Sequence, residues 1–234
     1  MRDLKMDNTK SNFKKRKNEI NEYFSFLKIL NYENVSLKYN TINGTHEVEM
    51  SIKLQRILVA NTFLLLYNLV ESTVRNSIIE IYNQIKDDEL TYANLSDKIK
   101  QIWIYKNSKK LTSSNEEKIK KSLKKVIDEI ISNEIIILTK DDIHISGNIN
   151  ADEIRILASK IGFEKSNNGR YLDEIKIKRN RLAHGEQTFH DVGKDFTYND
   201  LNLYKENTFE HLEDVMKNIK KFIEDKKYFN YLAI

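Results

Sequence analysis

The residues best suited to chemistry lie in one short segment of the chain. Arg179, Asn180, Arg181 and His184 fall within six positions, at the end of a predicted helix. Histidine titrates near neutral pH and serves as base or acid, whereas arginine stays charged and binds phosphate through its planar guanidinium. Metal-free cleavage of RNA needs a base for the ribose 2′-hydroxyl and a cation for the charge that develops on phosphorus. Because DNA has no 2′-hydroxyl, this chemistry selects RNA.

The spacing of Arg179 and His184 sets a geometric condition. Five residues on an ideal helix separate two side chains by roughly 140°, so the pair does not share one stripe. Two routes would bring the side chains together: the helix unwinds at His184 and Gly185, or two copies of the helix end meet across a two-fold axis. A purely structural reading also stands, because Arg and His at a helix C-terminus favour the macrodipole and bind the last carbonyls.

Four further residues are candidates for substrate binding. Arg181 and Lys178 border the motif and are placed to contact phosphate. Glu71 and Arg75 have the i, i+4 spacing of an ordinary helical ion pair, and a role at the site is an equal alternative. Asn180 can hold a substrate oxygen or orient His184. The basic runs elsewhere, such as residues 14–17, are interpreted as a solvated face.

The sequence argues against several other kinds of site. The chain has no cysteine, which excludes disulfides, thiolate zinc sites and a cysteine nucleophile. His46, His144 and His211 are isolated and lack metal-ligand spacing, and His190 is interpreted as a solvated loop residue. No glycine-rich phosphate loop is present, so an NTPase or dehydrogenase is not indicated. We therefore expect no metal and no cofactor.

Composition favours a helical protein. The 234 residues include no proline and only six glycines, which permits long helices and argues against an all-β fold. The net charge of +4 allows a nucleic-acid partner without requiring one. Residues 1–30 lack an apolar segment long enough for a signal peptide, and Ile57–Val70 is shorter than the ~20 residues of a membrane span. We expect a cytoplasmic protein that does not contact a membrane.

Hydrophobic periodicity predicts the elements. A single all-α domain is expected over 1–234, with a helical N-terminal extension over 1–50 that begins at a Ser11 cap after polar, frayed residues 1–10. Further helices are expected over 47–85, 92–105, 115–131, 151–160 and 170–183, and from Thr197 or Asn199 to 227. Residues 31–45, 107–115 and 186–199 are expected as loops, and 134–146 as a small β-hairpin insertion.

The motif also resembles that of a known family. The segment Arg179-Asn-Arg-Leu-Ala-His-Gly-Glu186 is similar to the Arg-x(4–6)-His signature of HEPN domains, including the polar residue after the Arg. The segments Ala60–Thr73, Ser146–Arg155 and Phe189–Leu201 resemble one bacterial nuclease-like subfamily, so the resemblance covers most of 55–230 and leaves 1–50 aside.

The resemblance implies an antiparallel helical bundle that forms a homodimer with a composite active site. It implies a metal-independent endoribonuclease, acting as a toxin or phage-defence effector, with Arg179 and His184 as the catalytic pair and Asn180 in support. Glu71 would anchor Arg179 or Arg75. An antitoxin or another protein of a defence complex is an implied partner. Some HEPN toxins carry a modified Tyr two residues after the His; Glu186 stands there, which argues against that form of control. The alternative is a non-catalytic HEPN-like module that binds nucleotides or proteins.

Overall fold

A computed structural model describes residues 6–32, 35–112, 115–142 and 147–231, and these residues form an all-α structure with one small hairpin. The helices are α1 (Asp7–Leu30), α2 (Ile52–Asp87), α3 (Asp97–Ser108), α4 (Glu116–Ile131), α5 (Ala151–Ile161), α6 (Leu172–Ala183), α7 (Phe189–Gly193) and α8 (Tyr198–Glu224). Short 3₁₀ helices cover Tyr92–Asn94 and Lys109–Leu111. Strands β1 (Ser36–Thr41) and β2 (Gly44–Glu49) pair antiparallel. The predicted fold class is confirmed.

Side-chain caps explain where several helices begin. The Asn115 side chain accepts a hydrogen bond from the Lys118 N–H at 3.1 Å, and Asn150 accepts one from the Glu153 N–H at 2.9 Å. Thr197 accepts from the Asp200 N–H at 3.2 Å ahead of α8. Each bond satisfies an N–H group that has no partner within its own helix. The sequence offers Ser114 or Asn115 as the cap of α4 and Thr197 or Asn199 as the cap of α8; Asn115 and Thr197 are found in these roles.

The predicted start of the first helix is wrong. Residues 7–10 are helical, so Ser11 lies inside α1 and is not its cap. Met6 and Thr9 are buried, at 0% and 1% exposure, and the Thr9 hydroxyl donates to Glu80 Oε1 at 3.2 Å. The polar composition of this segment concealed these tertiary contacts, which hold the first turn in place.

The hairpin lies at a different place from the one predicted. Residues 36–49 form the antiparallel pair, although 31–45 were expected as a loop and 47 onwards as helix; α2 begins only at Ile52. The Tyr39 and His46 rings stack across the pair with centroids 5.3 Å apart. Residues 134–142 form no strand; Ile135 makes a single bridge to Thr91. The Asp142 side chain accepts the Thr139 N–H at 2.6 Å, which closes a turn instead of a ladder. Residues 143–146 lie outside the described part of the chain.

Contacts divide the chain into two compact units. The first comprises Met1–Lys10, Thr73–Asn167 and Glu213–Ile234. Its buried side chains include Ile81, Ile85, Ile99, Trp103, Ile154, Ile219 and Phe222. The second comprises Ser11–Ser72 and Asn168–Leu212. Its buried side chains include Phe24, Phe63, Leu66, Ile175, Val192 and Leu201. The expectation of a single domain over 1–234 stays a prediction.

Helix α2 is long and apolar enough to cross a membrane by length and composition, and half of its most apolar window is buried. A core helix of a soluble protein meets the same criterion. Phe63, Leu66 and Ile81 of α2 are 0% exposed, as expected of a core helix. The predicted cytoplasmic location stays a prediction.

Candidate active site

Helix α6, in the second unit, carries the motif and is anchored by one apolar stripe. Leu172, Ile175 and Leu182 are buried, at 1%, 0% and 7% exposure. Their spacing places them on one face of the helix. The apolar spacing in the sequence predicts these three residues as core positions, and their burial confirms the prediction. Burial of this stripe fixes the rotation of α6, and with it the directions in which the motif side chains leave the helix.

The C-terminus of α6 is closed by a Schellman turn. The Glu186 N–H donates to the Arg181 carbonyl at 2.9 Å, and the Gly185 N–H donates to the Leu182 carbonyl at 3.3 Å. Gly185 has a φ of +71°, a left-handed conformation in which a Cβ would be strained. A glycine just beyond the predicted end of a helix indicates a stop of this kind, and Gly185 confirms that prediction.

The turn leaves His184 in helical geometry. His184 is the C-cap residue and has a φ of −90° and a ψ of −1°. The chain reverses only at Gly185, after the histidine. The route in which unwinding swings His184 towards Arg179 is therefore not used. The offset of roughly 140° between the two side chains follows from their helical spacing.

Arg179 is held against an aromatic ring of α2. Its guanidinium carbon lies 4.2 Å from the centroid of the Tyr67 ring, and Tyr67 is 1% exposed. The Arg179 Nη1 donates to Asn180 Oδ1 at 2.9 Å. A cation–π contact of this kind contributes about 0.5–2 kcal/mol. No carboxylate among the described residues pairs with Arg179, so a planar cation is fixed in place with N–H groups left for an anion.

The surroundings of His184, Arg181 and Lys178 differ from those of Arg179. The His184 side chain is exposed and makes no hydrogen bond or ion pair within the described ranges. The Asn180 oxygen orients Arg179 and not His184. Arg181 is exposed, and the Lys178 Nζ lies 5.2 Å from the centroid of the Phe196 ring. One chain thus brings Arg179 and Asn180 together and presents His184 separately.

Glu71 and Arg75 both lie on α2 and are partly buried. Each takes part in polar or electrostatic interactions. Glu71 belongs to the second unit and Arg75 to the first. Their assignment to the substrate site, as an anchor or as phosphate contacts, stays a prediction.

An aromatic cluster supports Lys178 and the N-terminal end of α6. The Phe63 and Phe196 centroids are 4.8 Å apart, and Tyr204 stacks on Tyr171 at 4.3 Å. Burial is the largest cause that raises the pKa of Tyr204, and the hydrogen bond from its hydroxyl to the Glu174 carboxylate raises the pKa further. Tyr204 therefore stays a neutral donor, and it ties α8 to the first turn of α6.

Sequence reasoning missed a second polar constellation, at His190. The segment expected as a loop contains α7, where Thr188 and Asp191 bond reciprocally: the Asp191 N–H donates to Thr188 Oγ1 at 3.1 Å, and that hydroxyl donates to Asp191 Oδ2 at 2.6 Å. The His190 Nε2 lies 2.9 Å from the Arg56 Nη1. The spacing Ser/Thr-x-x-acid before an apolar run is a helix-start signal that would have revealed α7.

The charges around α7 favour an ionised Asp191. The hydrogen bond from the Thr188 hydroxyl lowers the pKa of the Asp191 carboxyl; partial burial opposes this effect, and Lys194 and His190 add to it. The Asp191 Oδ1 lies 3.7 Å from the His190 Nδ1. Asp191 thus faces one edge of the imidazole and Arg56 the other.

Within the described part of the chain, no group of three or more His, Asp or Glu side chains is placed to hold a metal ion.

Comparison with known proteins gives the family. The family model described as HEPN_MAE_28990-like HEPN matches residues 5–228. The chain belongs to the HEPN family. The HEPN match includes α1, whereas the resemblance seen in the sequence was confined to 55–230. No curated protein and no solved structure gives a significant match.

Membership of the HEPN family indicates a nuclease-like or nucleotide-binding module. The motif segment falls inside the matched range.

Proposed function

We propose that this HEPN protein is a metal-independent endoribonuclease in which Arg179 and His184 act on one phosphodiester. The observation that carries the proposal is the guanidinium of Arg179, fixed 4.2 Å from the Tyr67 ring centroid, with an exposed imidazole at the end of the same helix. A cation held in place before the substrate arrives stabilises developing charge without reorganisation. An exposed imidazole is accessible to a ribose hydroxyl.

The reaction uses the substrate's own nucleophile. His184 removes the proton from the 2′-hydroxyl, and the 2′-oxygen attacks the adjacent phosphorus. The bond from phosphorus to the 5′-oxygen breaks, and that oxygen takes up a proton from water, while His184 releases its proton to the solvent. The products are a 2′,3′-cyclic phosphate and a 5′-hydroxyl. Arg179 stabilises the additional negative charge on the phosphoryl oxygens, and Asn180 acts as a positioning residue through its bond to Arg179.

A homodimer completes the site in this proposal. Because His184 keeps its helical backbone, one chain holds its two groups roughly 140° apart around α6. Two copies related by a two-fold axis can set Arg179 of one protomer beside His184 of its partner, and the reverse pair beside it. The composite cleft is thus a geometric requirement of the chemistry.

Neighbouring cations extend the site along the RNA backbone. Arg181 is exposed, and Lys178 is held over Phe196. Both are proposed to contact phosphates flanking the scissile one, which makes binding salt-dependent. A nuclease of this kind is proposed to act as a toxin or phage-defence effector, with an antitoxin or a defence-complex protein as the partner that restrains or triggers it.

The proposal is tested by the chemistry of the products. We expect purified protein to cleave a single-stranded RNA in the presence of EDTA and to leave a DNA of the same sequence intact. Mass spectrometry should find 2′,3′-cyclic phosphate or 3′-phosphate ends and 5′-hydroxyl ends. Fragments with 5′-phosphate ends, or complete inhibition by EDTA, would contradict a mechanism that uses the 2′-hydroxyl without metal.

The second candidate is a non-catalytic HEPN module that binds nucleotides or proteins. It is favoured by one observation: Arg179 is engaged by Tyr67 and Asn180, while His184 leaves α6 in another direction. This candidate predicts no cleavage of RNA at any protein concentration. It also predicts no loss of toxicity on expression when His184 is replaced.

A further inference from the structure

A second cationic group lies in the same unit as the motif, at the N-terminal end of α2. Arg56 is partly buried, and its guanidinium Nη1 lies 2.9 Å from the His190 Nε2. Within the described residues, Arg56 makes no ion pair with a carboxylate. A guanidinium carries five N–H donors, so contact with a single imidazole nitrogen leaves most of its capacity for hydrogen bonds to an anion. Arginines of this kind recognise carboxylates and phosphates.

The contact with His190 leaves the positive charge of Arg56 in place. An arginine cannot accept a hydrogen bond, so the His190 Nε2 is the acceptor in this contact. The Nδ1 edge faces the Asp191 carboxylate at 3.7 Å. His190 therefore orients Arg56 without neutralising it, and the positive charge is preserved for a ligand.

An open cavity of about 600 Å³ lies beside His190, and Arg56, which is bonded to His190, lines a second cavity of about 250 Å³. The larger cavity is lined by Lys53, Ile57, Thr188, Phe189 and His190. The volume falls within the range of roughly 300–1,000 Å³ that is usual for small-ligand sites. The lining offers an ammonium group from Lys53, an aromatic ring from Phe189 and an aliphatic wall from Ile57. A phosphate, a flat aromatic base and a sugar would find complementary groups here, because bases stack on aromatic rings in nucleic-acid sites.

Helix α2 places Arg56 on the same face as Tyr67, the ring against which Arg179 is held. Arg56 and Tyr67 are eleven residues apart, so they lie on one face of the helix, within about 20°, and about 16 Å apart along its axis. Phe63 shares that face and meets Phe196, which also lies under Lys178. The separation of about 16 Å is several times the step of about 3.4 Å between stacked nucleotides, so an RNA strand that reaches from Arg56 to the Arg179 site spans several nucleotides.

We infer that Lys53, Arg56, Phe189 and His190 form a nucleotide subsite that binds a phosphate and a base of single-stranded RNA away from the scissile bond. The inference deepens the proposed function, because it gives the endoribonuclease a second point of attachment to its substrate. Arg56 binds the phosphate through two N–H groups, Lys53 adds charge, and Phe189 stacks on the base.

Binding measured without cleavage tests the subsite. The His184→Ala protein is titrated into a fluorescently labelled 12-nucleotide RNA, and anisotropy gives Kd. Adding Arg56→Gln should weaken binding by about tenfold or more, the usual effect of losing a charge-assisted hydrogen bond. Arg16→Gln is the matched control, because Arg16 is an exposed arginine of the same unit with no described partner. Equal Kd values for the two variants would overturn the inference.

Two further measurements test the subsite if Arg56→Gln misfolds, and distinguish a nucleotide from free phosphate as its ligand. Lys53 is exposed, so Lys53→Gln should fold and should also weaken RNA binding, even if Arg56→Gln does not fold. Adenosine monophosphate should shift the His190 ring signals in NMR spectra of the His184→Ala protein, and inorganic phosphate should shift them less. Shifts confined to other residues would contradict the subsite. If wild-type protein binds RNA through Arg56 but never cleaves it, the nuclease proposal fails and the subsite stands.

Discussion

His184→Ala is expected to lower the rate of RNA cleavage by about 10²–10⁴-fold, the usual contribution of a general acid or base. At about 1.36 kcal/mol for each factor of ten, this loss corresponds to roughly 3–5 kcal/mol of transition-state stabilisation. The fold should not change, because the side chain is exposed and has no described hydrogen-bond partner. Initial rates on a labelled RNA, measured in EDTA, give the comparison, and circular dichroism verifies the fold.

The matched control for this variant is His46→Ala. His46 is an exposed histidine on the β1–β2 hairpin, where it stacks on Tyr39. Its replacement removes the same functional group at a position away from the motif, so the cleavage rate should stay within about twofold of wild type. If wild-type and His184→Ala proteins degrade RNA at the same rate, the activity belongs to other residues or to a contaminant.

Gly193→Ala is expected to have the largest effect on stability among single-methyl substitutions. A Cβ at Gly193 would lie 1.9 Å from the Arg56 carbonyl oxygen and 2.6 Å from its carbonyl carbon. Both atoms belong to the backbone of α2, so no side-chain rotation relieves the clash. Overpacking of a core costs about 1–3 kcal/mol and occasionally more, and we expect the upper end of this range. Helix α7 would have to move away from α2.

Chemical denaturation measures this effect. The free energy of unfolding should fall by about 3 kcal/mol, which for a chain of this size lowers Tm by roughly 6–12 °C. Gly147→Ala is the control, because a Cβ at Gly147 meets no atom within 4 Å and its φ is not left-handed. Equal stabilities of the two variants would show that Gly193 does not approach Arg56 as closely as described.

Helix ends were the features most readily predicted from the sequence. Asn115, Thr197 and Gly185 act through local hydrogen bonds and local backbone geometry, which depend on a few neighbouring residues. The start of α1 was not predictable in this way. Met6 and Thr9 become helical and buried through contacts with residues far along the chain, and a polar local sequence gives no sign of such contacts.

The hairpin shows the limits of hydrophobic patterns. Residues 134–138 have the apolar run of a strand, yet among the described residues they make only the isolated bridge from Ile135 to Thr91. Residues 36–49 are mostly exposed, so burial leaves little signal there, and the pairing depends on the two-residue turn before Gly44. A hydrophobic strand pattern in a sequence detects buried side chains, and the side chains of this hairpin are almost all exposed.

The candidate site was predictable in its residues but not in its arrangement. The types of Arg179 and His184 indicated the chemistry, and their spacing indicated that the two side chains leave one helix in different directions. The contact of Arg179 with Tyr67 joins positions far apart in the sequence, and no local pattern reveals it. The same is true of Arg56 and His190, since an isolated histidine in a polar segment is indistinguishable from a solvated one until α7 packs on α2.

Co-expression of Arg179→Ala and His184→Ala chains tests most directly whether the two groups act as one site. Each variant alone should be inactive. If the site is composite, half of the mixed dimers are heterodimers with one intact site of two, and the mixture should regain about a quarter of wild-type cleavage. A mixture that forms heterodimers and yet stays as inactive as its components would contradict a shared cleft between an arginine of one copy and a histidine of the other.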